Sequence, residues 1–145
     1  MRTIEVLLVD DNPADSDLTG EVLASNGRRV HVQAVPDGVA AIEFLRRQGN
    51  YAHALLPDFV ILDLSLPRKD GFAVLTEVKA DPFLWKIPIA VFSTSDRGQD
   101  ITRSYELGAN CYVSKPGNLT DFISAAAMLR EFWCGFARLP REEDR

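Results

Sequence analysis

Phe59-Val60-Ile61-Leu62 runs without a polar residue and stops on Asp63, and Val6-Leu7-Leu8-Val9 stops on the adjacent acids Asp10 and Asp11. A strand with one wet face alternates apolar and polar residues. A short unbroken apolar run is the pattern of a strand covered on both faces, as in a parallel sheet sandwiched between helices. That constraint limits the chain to a few architectures. It also raises a question, because two crowded carboxylates at a buried strand end call for something positive beside them.

The rest of the chain repeats the unit. Residues 4–9, 30–35, 59–62, 87–92 and 111–113 read as strands. Between them lie helical patterns. Asn12-Pro13 is an N-cap followed by proline in the first turn, and the helix it starts places Ala14, Leu18, Val22 and Leu23 on one side, ending near Asn26-Gly27. Residues 39–48 follow the turn Pro36-Asp37-Gly38, with Ala41, Ile42 and Leu45 inward. A helix over 72–80 is stopped by Asp81-Pro82, a short one over 100–107 by Gly108. A last helix runs from Asn118 to about Trp133, with Leu119, Phe122, Ile123, Ala126, Leu129 and Trp133 facing the sheet. Five strand–helix units joined by right-handed crossovers give an α/β, doubly wound parallel sheet with helices on both faces.

Length and composition agree with one domain and a sizeable core. The 145 residues are 46% hydrophobic and 26% charged, with a net charge of −5. The acidic balance argues against a nucleic-acid surface. The apolar runs are far shorter than the roughly 20 residues of a membrane span. The N-terminus lacks the long apolar region of a signal peptide, so a cytoplasmic chain is expected. Cys111 and Cys134, without metal-site spacing, read as unpaired reduced thiols, and His31 and His53 are isolated.

In a doubly wound sheet the ligand site lies beyond the carboxyl ends of the strands. Asp10 and Asp11 end the first strand, Asp63 the third, Ser93 and Thr94 the fourth, and Lys115 the fifth. If the strands are parallel, these residues meet. Three carboxylates together repel, and a hard divalent cation relieves them. Mg²⁺ takes oxygen ligands, uses one or two carboxylates and leaves positions for water and phosphate oxygens. One carboxylate can then serve as nucleophile toward a phosphoryl group, while the ion and Lys115 neutralise charge on the transferring oxygens and Ser93 hydrogen-bonds them. Each residue also has a plainer role: strand-end acids cap helices, serines fill turns, lysines are solvated and Tyr112 packs in the core. Only their convergence favours the chemical reading.

These positions, with Asp63 30 residues before Ser93 and Ser93 22 before Lys115, resemble the receiver domain of two-component response regulators over residues 4 to about 133. The stretches DNPADSDL, DGVAAIEFLRRQGNYAHALLPDFVILDLSLPRKDG and FSTSDRGQDITRSYELGANCYVSKPGNL, with the late REFW, resemble the single-domain regulators that serve phytochrome-type sensor kinases. The resemblance implies a flavodoxin-like sheet of order 2-1-3-4-5 with five helices. It implies Asp63 as phosphoacceptor, with Mg²⁺ held by Asp10, Asp11, Asp63 and the backbone carbonyl of Ser65. Lys115 is implied to pair with the phosphoryl group, with a cis bond to Pro116. Ser93 and Tyr112 are implied to be the switch pair. Thr94 stands where many receivers carry alanine or glycine, which narrows access to Asp63. Ser65 and Ser95 occupy positions that tune autodephosphorylation in the family.

The expected domain plan is a receiver over 1–134 and a charged tail over 135–145. Phe132, Phe136 and Leu139 extend the apolar run beyond the sheet. They either fold back on their own domain or form a subunit interface, and the latter favours a homodimer through the fourth helix, fifth strand and fifth helix. The expected function is a single-domain regulator, phosphorylated by a sensor histidine kinase docking near Ala14, Asp15, Leu18 and the Pro116-Gly117 loop. Output through protein contacts or relay is expected, with no DNA or membrane partner. A phosphohydrolase with an aspartyl nucleophile is the alternative, disfavoured by Ser65 where a second acid is usual. A flavin or nucleotide binder is disfavoured by Asp10 and Asp11, which repel phosphate.

Overall fold

The structure is a computed structural model and describes residues 2–25 and 27–140. Its strands are β1 (Ile4–Val9), β2 (Val30–Val35), β3 (Phe59–Leu62), β4 (Ile89–Ser93) and β5 (Cys111–Ser114). All pair in parallel, in the order β2-β1-β3-β4-β5. The helices are α1 (Pro13–Ala24), α2 (Gly38–Leu45), α3 (Gly71–Ala80), α4 (Gly98–Glu106) and α5 (Leu119–Glu131), followed by a π-helical turn, Phe132–Phe136. The sheet order and helix count are those expected.

Side-chain alternation along each central strand divides the core. Val6, Leu8, Phe59, Ile61, Ala90 and Phe92 face the layer closed by α1 and α5. Leu7, Val9, Val60, Leu62, Ile89 and Val91 face the opposite layer, built with α2 and α3. Both faces are therefore dry, which is why β1, β3 and β4 carry unbroken apolar runs while the edge strand β2 alternates.

Capping fixes where the helices start. The side chains of Asn12, Asp37, Asp70 and Asn118 each accept a backbone N–H from the first turn of α1, α2, α3 and α5. Two of these starts are glycines under steric compulsion. A Cβ on Gly71 would lie 2.5 Å from the Asp63 carbonyl oxygen and 2.7 Å from Leu64 Cα, and one on Gly38 would strike the Lys69 backbone. The loop after β3 is thus held between the N-termini of α2 and α3.

Three expectations need correction. The inner face of α1 is Ser16, Thr19 and Leu23, with Leu18 and Val22 half-buried and Ala14 exposed. Spacing of three and four residues defines that face, and Ser16 and Thr19 are small enough to pack in it. Leu119 and Ile123 do not face the sheet but are 65% and 39% exposed. The inner face of α5 is Phe122, Ala126, Leu129 and Trp133, with Trp133 stacked on Phe59 at 5.7 Å. The Lys115–Pro116 bond is trans, since the described residues contain no cis peptide. Trans is the lower-energy isomer of an X–Pro bond, and in it Lys115 already donates its backbone N–H to the Ser93 carbonyl at 2.6 Å.

Past α5 the chain keeps packing: Ala137 and Leu139 lie against the α1–α5 layer. Phe132 and Phe136 are 53% and 79% exposed. Residues 141–145 of the charged tail fall outside the described residues, as does Asn26. Cys111 and Cys134 are unpaired and half-buried, and burial pushes the Cys134 thiol up to about 11. Among the described residues no helix is long and apolar enough to cross a membrane.

Candidate functional site

Because the strands are parallel and in register, their carboxyl ends deliver Asp10, Asp63, Ser93 and Lys115 to one edge. All four are at most 8% exposed. Asp11, one residue further out, is exposed. Oxygens of Asp10, Asp11 and Asp63 lie within 4.8 Å of one another. Asp10 Oδ1 accepts the Asn12 N–H at 2.9 Å, and Asp63 Oδ1 the Ser65 N–H at 3.3 Å. These backbone bonds fix both carboxylates before any ligand arrives.

The positive charge that the acids demand is Lys115. Its ammonium donates to Asp10 Oδ2 at 2.7 Å, to Asp63 Oδ2 at 3.0 Å and to Asp15 Oδ2 at 3.0 Å. Burial works against the charged ammonium. The hydrogen bond to Asp10 and the charges of Asp63 and Asp10 outweigh it, so Lys115 titrates above the ordinary lysine range. Burial also pushes the Asp10 carboxyl up, only partly offset by its bonds from Lys115 and Asn12. The two directions agree on one picture: a single cation divided among several acids is over-supplied with partners, while Asp10 is under-supplied.

The hydroxyl side of the site is also ordered. Ser93 Oγ lies 3.4 Å from the Ser95 N–H. Tyr112 is half-buried, and its hydroxyl donates to the Ser95 carbonyl at 2.7 Å. Ser95 Oγ in turn donates to Asp100 Oδ2 at 2.6 Å. Tyr112 is thereby tied to the loop that follows Ser93. A cleft beside this loop is lined by Ser65, Ser93, Thr94, Ser95 and Arg97.

The site residues expected from the sequence therefore converge, Asp10, Asp11, Asp63 and Lys115 most closely. The residue missed as a member of the cluster is Asp15, expected only as part of the kinase-docking region of the first helix. Its signal was present: an acid in the first turn of a helix that starts at the same edge. Such acids also complement a helix dipole, so position alone did not single it out.

Three carboxylates and a lysine at this edge can hold a cation and a phosphoryl group. The response regulator receiver domain family matches residues 6–127. The chain belongs to that family. Among the receiver's relatives, the response regulator Rcp1 of Synechocystis sp. is 42% identical over 135 residues, covering 93% of this chain and 92% of that protein. The crystal structure of the phosphorylated cyanobacterial phytochrome response regulator RcpA superposes with a TM-score of 0.93 at 44% identity, covering 97% of this chain and all of that one. The Mn²⁺-bound form of Rcp1 superposes at 0.92 with 40% identity, covering 95% and 99%.

The donor set of this receiver fits such an ion. Its three clustered ligands are all carboxylate oxygens, the hard type that divalent Mg²⁺ and Mn²⁺ prefer over nitrogen or sulfur. The Asp10 carboxyl, raised by burial, marks where compensating charge is short.

Proposed function

We propose that this receiver accepts a phosphoryl group on Asp63 from a phytochrome-type sensor histidine kinase, with Mg²⁺ held by Asp10, Asp11, Asp63 and the Ser65 carbonyl. The observation that carries the reading is the Lys115 ammonium, buried and bonded to Asp63 at 3.0 Å, beside a carboxylate cluster that suits a hard cation. Asp63 Oδ attacks phosphorus, the new O–P bond forms as the N–P bond to the donor histidine breaks, and the histidine nitrogen leaves with the electron pair. Lys115 donates to the phosphoryl oxygens and keeps its proton. Bound Mg²⁺ supplies charge neutralisation for those oxygens. The Ser93 hydroxyl donates to another phosphoryl oxygen, and its movement pulls on the loop that Tyr112 holds through Ser95. A phosphoryl group adds about −1.5 to −2 charges and three acceptors, enough to bias a two-state element of this kind. Incubating the protein with Mg²⁺ and a small phosphodonor, then reading intact mass, tests the reading.

The phytochrome assignment is supported by likeness to Rcp1 and RcpA. Phosphotransfer from a reconstituted bilin-binding kinase that depends on light supports it; light-independent transfer weakens it. The kinase's docking surface is placed at the top of α1 and α5. Arg130 reaches the Val22 carbonyl and Ser25 Oγ of α1. Ile123, seven residues earlier, lies on the same side of α5. The exposed Ala14 of α1 and Leu119 and Ile123 of α5 are the apolar residues assigned to this docking surface, with Asp15, Leu18 and the Pro116-Gly117 loop.

The Mg²⁺ assignment has a thermal signature. Asp10 has a raised carboxyl, so its ionisation opposes folding. That burden is absent below the ordinary carboxylate range and is felt once pH rises through the folded-state value. Bound Mg²⁺ relieves it. At neutral pH, free Mg²⁺ at tenfold its Kd is expected to add about 1.4 kcal/mol, a Tm rise of about 3–6 °C. The rise shrinks in acid as the carboxylates protonate, and Asp11→Asn blunts it. Calorimetry with and without Mg²⁺ at two pH values checks this.

Assembly is assigned to the opposite flank of α5. Met128, Phe132 and Phe136 are 72%, 53% and 79% exposed, and a second copy of the chain is the partner assigned to cover them. Truncating Phe132 to alanine is expected to raise the dimer Kd about tenfold to a hundredfold, the equivalent of about 1.5–3 kcal/mol for one buried aromatic side chain. A monomeric mass for the parent at micromolar concentration, with and without phosphodonor, overturns the assignment.

A further inference from the structure

The strongest unassigned feature is the third carboxylate on Lys115. An ammonium has three N–H donors, and here all three are taken, by Asp10, Asp63 and Asp15. Asp10 and Asp63 come from strand ends and their side chains are 3% and 9% exposed, whereas the Asp15 side chain is 29% exposed. Asp15 lies in the first turn of α1, where its backbone N–H is held by Asn12 Oδ1 at 3.1 Å. It therefore draws Lys115 toward α1 from a fixed anchor.

A lysine with all its donors committed cannot bond a phosphoryl oxygen without releasing an acid. The bond easiest to release is the one water can replace, which is that to part-exposed Asp15. We propose that Asp15 is a positioning residue that holds Lys115 back from the phosphoryl position in the unphosphorylated receiver, so that its carboxylate competes with the incoming group for the ammonium and slows phosphorylation. The proposal rests on Asp63 being the phosphoacceptor. It also joins the two events at this edge, because phosphoryl gain frees the first turn of α1 from Lys115. The surface placed against the kinase is then altered by the group the kinase has delivered. No proton moves: Lys115 exchanges a carboxylate acceptor for a phosphoryl oxygen.

The test separates charge from shape. Asp15→Asn keeps an oxygen that can accept from Lys115 but removes the competing charge; Asp15→Ala removes both. At saturating Mg²⁺ with a small phosphodonor, both variants are expected to acquire the phosphoryl group about threefold to tenfold faster, the order expected for deleting one part-exposed charge a few ångströms from the arriving phosphate. An unchanged or slower rate in Asp15→Asn overturns the proposal, and so does acceleration in Asp15→Ala alone. A second measurement needs no phosphorylation. By NMR, the Lys115 ammonium hydrogens are expected to exchange with water faster in Asp15→Asn than in the parent, and unchanged exchange overturns the clamp. If the parent takes up no phosphoryl group, the reading of Asp63 falls, and the exchange rate alone then decides whether Asp15 holds Lys115.

Discussion

Asp63→Asn is expected to remain at its unmodified mass under conditions in which the parent protein gains one phosphoryl group, however long the incubation. The effect is all-or-none because the change removes the nucleophile, whereas losing Lys115 or Ser93 removes only groups that stabilise the transferring oxygens. The asparagine amide matches the carboxylate in size and keeps one oxygen, which can accept from Lys115 or from the Ser65 N–H though not from both, so the fold is expected to survive. A circular dichroism melt within a few degrees of the parent, run beside the mass measurement, separates lost chemistry from lost structure. Modification that persists in Asp63→Asn places the acceptor elsewhere and removes the basis of the proposed function.

Gly71→Ala is expected to give the second large effect, and it tests the frame of the site instead of its chemistry. The added Cβ meets the Asp63 carbonyl oxygen at 2.5 Å and Leu64 Cα at 2.7 Å. These are backbone atoms with no rotamer to yield. The Gly71 N–H also donates to the Leu64 carbonyl at 2.9 Å, so the helix cannot back away without losing that bond. Overpacking of this kind costs about 3 kcal/mol, a Tm drop of about 6–12 °C in a chain of this size. Because the displaced atoms belong to Asp63 itself, phosphorylation is expected to slow as well, even below the new Tm. A stable variant with the parent's rate shows that the loop has room that the structure denies it.

Much of this architecture was legible in the sequence for a physical reason. A strand buried on both faces has no freedom to be polar, so β1, β3 and β4 announced themselves, and the acids that end them stood out against the apolar runs. Asp10, Asp11, Asp63 and Lys115 could be brought together once the strands whose ends they mark were read as parallel. What was hidden depends on rotation and reach. Periodicity groups Leu119 and Ile123 with Phe122 and Ala126, but it cannot say that Leu119 and Ile123 fall outside the arc of α5 that meets the sheet. Ala14 was misplaced for a similar reason, since Ser16 and Thr19 are polar by type yet small enough to line the inner face of α1. The trans bond before Pro116 and the third carboxylate on Lys115 are geometric outcomes of the assembled edge, and no local pattern encodes either.

The shared lysine also has a consequence for how the chain is made. Its three partners lie 105, 100 and 52 residues earlier in sequence. A ribosome building the chain from its N-terminus therefore produces the acids of the first and third units long before their counter-ion exists. At roughly 5–20 residues per second, the nascent protein spends several seconds with an acidic edge whose native counter-ion, Lys115, is not yet made. Any β1–β3 pairing formed in that interval carries the repulsion unscreened, and dissolved divalent cations are the charge at hand. A divalent cation of the kind proposed for the reaction would then act first as a folding aid, standing in for a lysine not yet synthesised.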